Sequence, residues 1–301
     1  MYIGRFAPSP TGPLHFGSLL AALASFLRAR QQGGRWLVRL EDIDPLRQPP
    51  DSCEKILVAL EAHGLEWDGV PSFQSNHSAF YDAAIAHLRQ SGVLYPCVCS
   101  RKQIKESGAR EELAGLGPVY PGTCREAPPK ALKRYALRMR VGQAELTFND
   151  LIQGQVSQDL ERQSGDFIIK RRDDLYSYSL AVAVDDARQE ITEVIRGADL
   201  LQQTPRQIFI MQHLGLEPPA YGHVPVATDS NGQKLSKQSG ALPLDNTKPE
   251  ENLVMAMKML GMPVSPEVSG AGLHELLDWG VANFRLEALK GIKTQAIDFW
   301  L

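Results

Sequence analysis

The sequence predicts an α/β protein: a parallel sheet built from crossover units, interrupted by an inserted α+β module and followed by a mainly helical segment. Three observations carry this. Residues 1–42 read as strand, loop, helix and strand, the crossover that parallel strands require. The texture changes at Gly92, and short strands, turns and a cysteine cluster run from Val93 to about Asp174. Alternating helix and strand patterns then return. The expected organisation is 1–92 and 175–240 as two halves of one α/β domain, 93–174 as the insertion, and 241–301 as the helical segment.

The elements follow in order. Tyr2 to Phe6 is β-prone and ends in the turn-rich Ala7-Pro8-Ser9-Pro10-Thr11-Gly12-Pro13. Phe16, Leu19, Leu20, Leu23 and Leu27 recur at helical spacing to about Arg30, where Gly33-Gly34 stops the helix. Trp36 to Leu40 reads as the second strand, followed by Glu41-Asp42. Asp51 to Gly64 reads as a helix with Asp51 and Glu54 at capping-box spacing, and Asn76 to Ser91 as another. In the insertion, Tyr135, Leu137, Met139 and Val141 alternate as a strand inside a stretch, Arg125–Arg140, that holds six Lys/Arg and one Glu. Beyond it come a helix through Ser177–Val184, a strand at Glu190–Arg196 and a helix at Leu200–Leu214. Periodic runs at Glu250–Leu260 and Leu273–Phe284 make the last segment helical.

Composition bounds the function. Apolar residues make up 43% and charged residues 22% of 301, a globular balance that excludes a disordered chain. The longest apolar stretch, Leu19 to Leu27, falls far short of the ~20 residues of a membrane span, and a cytoplasmic protein with no membrane partner is expected. The net charge of −3 argues against a dedicated non-specific nucleic-acid binder but leaves room for an RNA held by a local patch. Cys97, Cys99 and Cys124 cluster while Cys53 stands alone, which in a cytosolic chain reads first as metal or redox chemistry and not as a disulfide framework.

Two loops carry phosphate-binding character. Ligands of open parallel sheets bind at the carboxyl ends of the strands, where Arg5–Gly17 lies. Gly12 and Gly17 permit close backbone approach, the following helix presents its amino end, and His15 precedes it. Far downstream, Gly232–Gly240 carries Lys234 and Lys237 between polar and glycine residues, suited as point charges for phosphate oxygens.

Together these stretches resemble the class I aminoacyl-tRNA synthetases in their glutamate form. Arg5 to Ser18, containing His15-Phe16-Gly17-Ser18, is similar to the family's first signature, with Ser18 in place of its second histidine. Lys234-Leu235-Ser236-Lys237-Gln238 is similar to the second signature, and Leu40–Asp44 and Ile195–Leu200 also match. The resemblance spans residues 1–245. It implies a Rossmann-type catalytic domain that joins L-glutamate to the α-phosphorus of ATP, with Mg2+ accompanying the nucleotide. It implies His15 and Lys237 as catalytic residues. The ATP site is His15, Gly17, Lys234, Ser236 and Lys237, and the glutamate pocket is Arg5, Phe6, Ala7, Pro8, Ser9, Glu41, Tyr178 and Arg196. Elementary chemistry agrees, because a glutamate pocket needs cations for two carboxylates and an anion for one ammonium.

The cysteine cluster offers three thiolates, and a structural zinc wants four ligands. No histidine lies between Cys99 and Cys124. Relatives with this cluster supply a tyrosine, and Tyr120 occupies that place, giving Cys97, Cys99, Tyr120 and Cys124 as the implied set around one zinc; a reduced, metal-free cluster is the other reading.

Only 64 residues follow Lys237, against the ~100–150 of a typical anticodon-reading domain. The expectation therefore narrows to the family's short paralogues, monomers that glutamylate the queuosine base of tRNA(Asp). The alternatives are a truncated enzyme charging the tRNA 3′ end, and a non-catalytic sensor of glutamate or ATP, against which His15, Lys234 and Lys237 argue. Arg125, Lys133, Arg134, Arg138 and Arg140 form one candidate RNA surface and Lys170-Arg171-Arg172 a second; a solvated basic strand is the plainer reading of both.

Overall fold

A computed structural model describes residues 1–107, 116–127, 129, 134–229, 232 and 243–296. Strand β1 (Ile3–Phe6) is buried throughout and leads through the proline-rich loop to helix α1 (Phe16–Gln31). His15 caps this helix by accepting the Ser18 N–H at 3.3 Å. Leu19, Leu20, Leu23 and Leu27 are all buried, as their spacing requires. Gly34 lets the chain return beneath Tyr2, since a Cβ there would lie 2.5 Å from the Tyr2 carbonyl oxygen. Strand β2 (Arg35–Leu40) then pairs parallel to β1, with Arg5 opposite Leu37. Trp36 locks the layers together, stacking on Phe6, meeting Phe26 edge-on and donating from Nε1 to Ser25 Oγ at 3.0 Å.

Helix α2 (Ser52–Ala62), strand β3 (Ser72–Phe73) and helix α3 (Ser78–Gln90) complete the first half. The insertion contains β4 (Leu94–Cys97), α4 (Arg101–Glu106), α5 (Thr123–Glu126), β5 (Ala136–Met139), β6 (Glu145–Asp150), β7 (Gly154–Asp159), α6 (Leu160–Gln163) and β8 (Phe167–Lys170). The second half comprises α7 (Tyr178–Arg188), β9 (Glu193–Gly197), α8 (Thr204–His213), β10 (Ala220–Val224) and β11 (Val226–Thr228). Helices α9 (Pro249–Met259), α10 (Pro266–Ser269) and α11 (Leu273–Asn283) precede a short strand, β12 (Thr294–Ala296). No helix among the described residues is long and apolar enough to cross a membrane.

One sheet orders β1-β2-β3, all parallel, and another orders β7-β6-β10-β9, parallel except for the β6–β7 hairpin. They meet at Thr192, whose N–H donates to the Ile3 carbonyl while its Oγ1 accepts the Ile3 N–H, both at 2.9 Å. The result is a Rossmann-type surface with β2, β1, β9 and β10 side by side. Strands β4, β5 and β8 form a separate antiparallel sheet. Leu253, Met257, Leu276 and Phe284 of the last segment share one buried core with α1.

Four details differ from the sequence reading. Asp51 precedes α2 in a left-handed conformation, φ 60°, so its carboxylate makes no capping bond. The helix expected at Leu200–Leu214 opens as a 3-10 turn over Ala198–Gln203 before α8 begins. The mainly helical last segment contributes a strand, β12, paired parallel with β11. Arg138, expected on a candidate RNA surface, is buried because the segment carrying Tyr120 covers that face.

Candidate active site

The carboxyl ends of the four adjacent parallel strands converge on a cavity of about 590 Å3. Arg5, Phe6, Ala7, Pro8 and Ser9 enter it from the end of β1, and Glu41 from just beyond β2. Arg196 enters from β9, Tyr178 from the first turn of α7, and His15 and Gly17 from the start of α1. The Glu41 N–H donates to the Pro8 carbonyl at 3.0 Å, tying the two loops together. Of the sequence-derived glutamate and ATP residues, every one that lies among the described residues lines this cavity. Lys234, Ser236 and Lys237 lie outside the described residues.

The pocket's charges are not equivalent. Arg5 donates from Nε and Nη2 to the two oxygens of Asp186, each at 3.2 Å. Fully buried Arg39 donates to Asp186 Oδ1 at 2.7 Å and to Gln189 at 2.6 Å. Burial works against ionising Asp186, but the Arg5 and Arg39 guanidiniums outweigh it and hold the carboxyl down at about 2. Neighbouring Asp185 is satisfied separately by Tyr81 at 2.6 Å, His77 at 2.8 Å and Gln74 at 3.0 Å.

Glu41 and Arg196, among the described residues, are pocket charges with no hydrogen-bonded counter-ion. Glu41 is buried, its Oε1 has no hydrogen-bond partner among the described residues, and its nearest cation is Arg39 Nη2 at 3.6 Å. Burial pushes its carboxyl up to about 7, against the pull of Arg39 and Arg5. Arg196 is 4% exposed, and its partners among the described residues are all neutral: His223 Nε2 at 3.1 Å, Tyr178 Oη at 3.4 Å, Thr204 Oγ1 at 2.8 Å and Gln207 Oε1 at 2.9 Å. A buried cation whose hydrogen-bond partners are neutral, beside a buried carboxylate with an orphaned oxygen, is a costly arrangement for the protein alone. Both become favourable when a zwitterion with an extra carboxylate fills the cavity.

His15 marks the cavity's other end. Its Nδ1 accepts the Ser18 N–H, so Nε2 carries the proton and donates to Ser18 Oγ at 3.1 Å. Ser18, at the place of the signature's second histidine, thus orients the ring of the first.

The cysteine cluster assembles as well. The Cys97, Cys99 and Cys124 sulfurs all lie within 4.8 Å of one another. Tyr120 Oη sits 3.5 Å from Cys97 Sγ and 3.4 Å from Cys99 Sγ. Cys99 Sγ and Cys124 Sγ are 3.4 Å apart, close to the ~3.8 Å expected across a tetrahedron with Zn–S bonds of ~2.3 Å. Burial raises the Tyr120 hydroxyl well above its ordinary range. It would raise Cys124 too, but hydrogen bonds, foremost from Tyr120, bring that thiol down to about 7. Three soft donors and one phenol oxygen at this spacing fit a structural metal.

The proposed RNA residues divide. Arg134 and Arg140 are exposed, Lys133 lies outside the described residues, and Arg125 is pinned to Asp166 at 3.3 Å. Buried Arg138 stacks on the Tyr120 ring at 3.9 Å and donates to the Asp166 carbonyl at 2.7 Å, which removes it from any RNA surface. In the second cluster Lys170 pairs with Asp82 at 3.3 Å, Arg171 with Asp44 at 2.9 Å, and Arg172 donates to the Val98 carbonyl. Sequence reasoning missed Arg39, Asp150, Asp186, Thr204, Gln207 and His223. The available signal was a charged or polar residue inside an apolar element, as in Val38-Arg39-Leu40 and Tyr221-Gly222-His223-Val224.

Comparison with known proteins places the chain in a family. The family model of tRNA synthetases class I (E and Q), catalytic domain, matches residues 3–277. The glutamyl-Q tRNA(Asp) synthetase of Methylococcus capsulatus is 47% identical over 289 residues, covering 96% of this chain and 93% of that protein. The protein of that name from Vibrio vulnificus is 49% identical over 288 residues, covering 96% and 91%. Among solved structures, the glutamate-tRNA synthetase of Elizabethkingia anophelis shares the fold with a TM-score of 0.82 at 24% identity, covering 99% of this chain and 68% of that one.

Proposed function

This chain belongs to the glutamyl-Q tRNA(Asp) synthetase family of class I tRNA synthetases, and on that premise we propose that it activates L-glutamate with ATP and transfers it to the queuosine base of tRNA(Asp). The observation that carries the glutamate assignment is the pair of leftover charges. Arg196 offers a guanidinium without a carboxylate, and Glu41 offers a carboxylate oxygen without a donor. A side-chain carboxylate on Arg196 and an ammonium on Glu41 satisfy both.

The α-carboxylate of glutamate then attacks the α-phosphorus of ATP, forming glutamyl-adenylate and expelling pyrophosphate. Such phosphoryl chemistry asks the protein mainly for position and charge. His15 and the amino end of α1 face the phosphates. Lys237, with Lys234 and Ser236, serves the departing pyrophosphate. Mg2+ bound with ATP neutralises phosphate charge. In the second step a hydroxyl of the queuosine cyclopentene ring attacks the activated carbonyl and AMP leaves. No protein nucleophile is needed.

Cys97, Cys99, Tyr120 and Cys124 hold one structural zinc in this reading, which pins the insertion. The enzyme works as a cytoplasmic monomer. The test is transfer of labelled glutamate to tRNA(Asp) with and without queuosine: label only on the queuosine-containing RNA supports the proposal, and equal labelling of the tRNA(Glu) 3′ end overturns it.

A further inference from the structure

Arg196 does not choose its own orientation. His223 lies directly opposite it in the β9–β10 ladder, and its Nε2 receives the Arg196 Nε–H at 3.1 Å. The other ring nitrogen, Nδ1, is 2.5 Å from Asp150 Oδ2. Asp150 stands at the end of β6, 73 residues upstream of His223, and both side chains are fully buried. Its Oδ1 meanwhile accepts the N–H groups of Ile152, Gln153 and His223 at 3.0, 2.8 and 3.1 Å.

This arrangement fixes a tautomer. The carboxylate can only accept, so His223 carries its proton on Nδ1 and presents the Nε2 lone pair to Arg196. Thr204 and Gln207 occupy Nη2, so Nη1, whose contact is the longer bond to Tyr178, is the guanidinium's least engaged edge. From these contacts we infer that Asp150 and His223 are positioning residues for substrate recognition: the carboxylate sets the imidazole tautomer, and the imidazole aims Arg196 at the substrate's side-chain carboxylate. Burial reinforces this by keeping the imidazole neutral, with its pKa lowered to about 4 despite the adjacent carboxylate. Every partner of Arg196 is then an uncharged acceptor, which leaves its positive charge for the ligand. An acidic residue in the place of His223 would hold the guanidinium equally well but would neutralise it.

The inference rests on the glutamate reading, and the experiment separates the two. It is the glutamate and ATP dependence of ATP–pyrophosphate exchange in wild type, Asp150→Asn, His223→Leu and His223→Gln. In Asp150→Asn the amide oxygen can keep the three backbone N–H bonds, but the amide nitrogen must donate to Nδ1. That moves the ring proton to Nε2, which can then donate to Thr204 Oγ1, 3.1 Å away, but can no longer accept the Arg196 Nε–H. Asp150→Asn and His223→Leu should each raise the KM for glutamate about 10–100-fold, the scale of a lost charge-assisted bond, with the ATP KM changed less than about twofold. His223→Gln supplies an amide oxygen near the Nε2 position and should stay within about threefold of wild type. A His223→Gln variant as impaired as His223→Leu, an unchanged glutamate KM in His223→Leu, or parallel rises in both KM values would overturn the positioning role. Wild-type exchange that ignores glutamate would instead overturn the substrate reading, and this assignment with it. If Asp150→Asn fails to fold, the two His223 variants decide the matter alone.

Discussion

Arg5 and Arg196 line the same cavity, yet Arg5 is bonded through two nitrogens to Asp186 while Arg196 meets only neutral acceptors. The two arginines should therefore fail in different ways. Arg5→Met strands Asp186 with Arg39 alone and should cost about 3 kcal/mol of stability, the scale of a broken buried pair. Arg196→Met removes a buried cation that has no hydrogen-bonded anion, so the desolvation it relieves offsets part of the four neutral contacts it loses, and the unfolding midpoint should move less than in Arg5→Met. Its glutamate KM should nevertheless rise about 100-fold with little change for ATP. Thermal unfolding beside exchange kinetics checks both. Loss of stability in the Arg196 variant as large as in the Arg5 variant would make that residue structural.

A second prediction concerns pH. Burial lifts Glu41 to about 7, so near neutrality its carboxyl is only partly ionised. An ammonium needs the ionised form, and the glutamate KM should climb as pH falls below 7, approaching tenfold per unit, while the ATP KM stays flat. The stability sign is opposite. The folded carboxyl binds its proton more tightly than the unfolded one, so its contribution is present at low pH and is lost as pH rises from about 4.5 to 7. Glu41→Gln should therefore be more stable than wild type above pH 7, by roughly 1–3 kcal/mol, and unable to hold glutamate. A glutamate KM that is level between pH 5.5 and 7.5 would refute the ammonium contact.

Lys237→Ala tests the downstream lysine motif. If Lys237 meets the charge developing on pyrophosphate, its loss should lower the exchange rate about 100-fold or more with a smaller change in the KM for glutamate, the signature of a transition-state donor. Near-wild-type exchange would remove Lys237 from the mechanism.

Much of this site was legible because its determinants are local. A loop between β1 and α1, a carboxylate just after β2 and an arginine near the end of β9 each sit where a parallel sheet places ligands, so motif and topology agree. What supports them was not legible. Asp186 reaches Arg5 across 181 residues and Asp150 reaches His223 across 73, through strand and helix neighbours that periodicity does not specify. Arg138 shows the limit from the other side. Period-two alternation pointed it away from the Leu137–Met139 face, but a second layer bearing Tyr120 covers the outward face too.

The proposed zinc site depends on Gly165. Its φ is 61°, and a Cβ there would lie 2.7 Å from the Tyr120 backbone nitrogen, to which it is bridged. Gly165→Ala should push Tyr120 off the sulfurs and leave three ligands. Elemental analysis of wild type should give one zinc per chain, and the variant should lose its metal to a chelator that spares wild type. The cluster and the glutamate cavity share no residue, so glutamate-dependent exchange should persist. Freshly prepared wild-type protein without metal would defeat this reading.

The last prediction concerns where glutamate goes. The cyclopentene ring of queuosine and the terminal ribose of a tRNA both present vicinal hydroxyls, and to an activated glutamyl carbonyl the two nucleophiles look alike. Choice between them must come from how the RNA docks. Bases in an anticodon loop are unpaired and can be splayed out and presented singly. The insertion supplies exposed Arg134 and Arg140 beside β5, with Arg140 lying 5.2 Å over the Tyr95 ring. Contacts of this kind go to phosphates and release counterions. A queuosine-containing anticodon stem-loop of tRNA(Asp) should therefore suffice as acceptor, and its binding should weaken as salt rises. Removing either arginine should lower the slope of log affinity against log salt by about 0.7 without changing the glutamate KM of exchange. Arg138→Ala should instead destabilise the protein, because that side chain is packed against Tyr120. An isolated stem-loop that accepts no glutamate, while the intact queuosine-containing tRNA(Asp) does, would place the decisive contacts outside the anticodon arm.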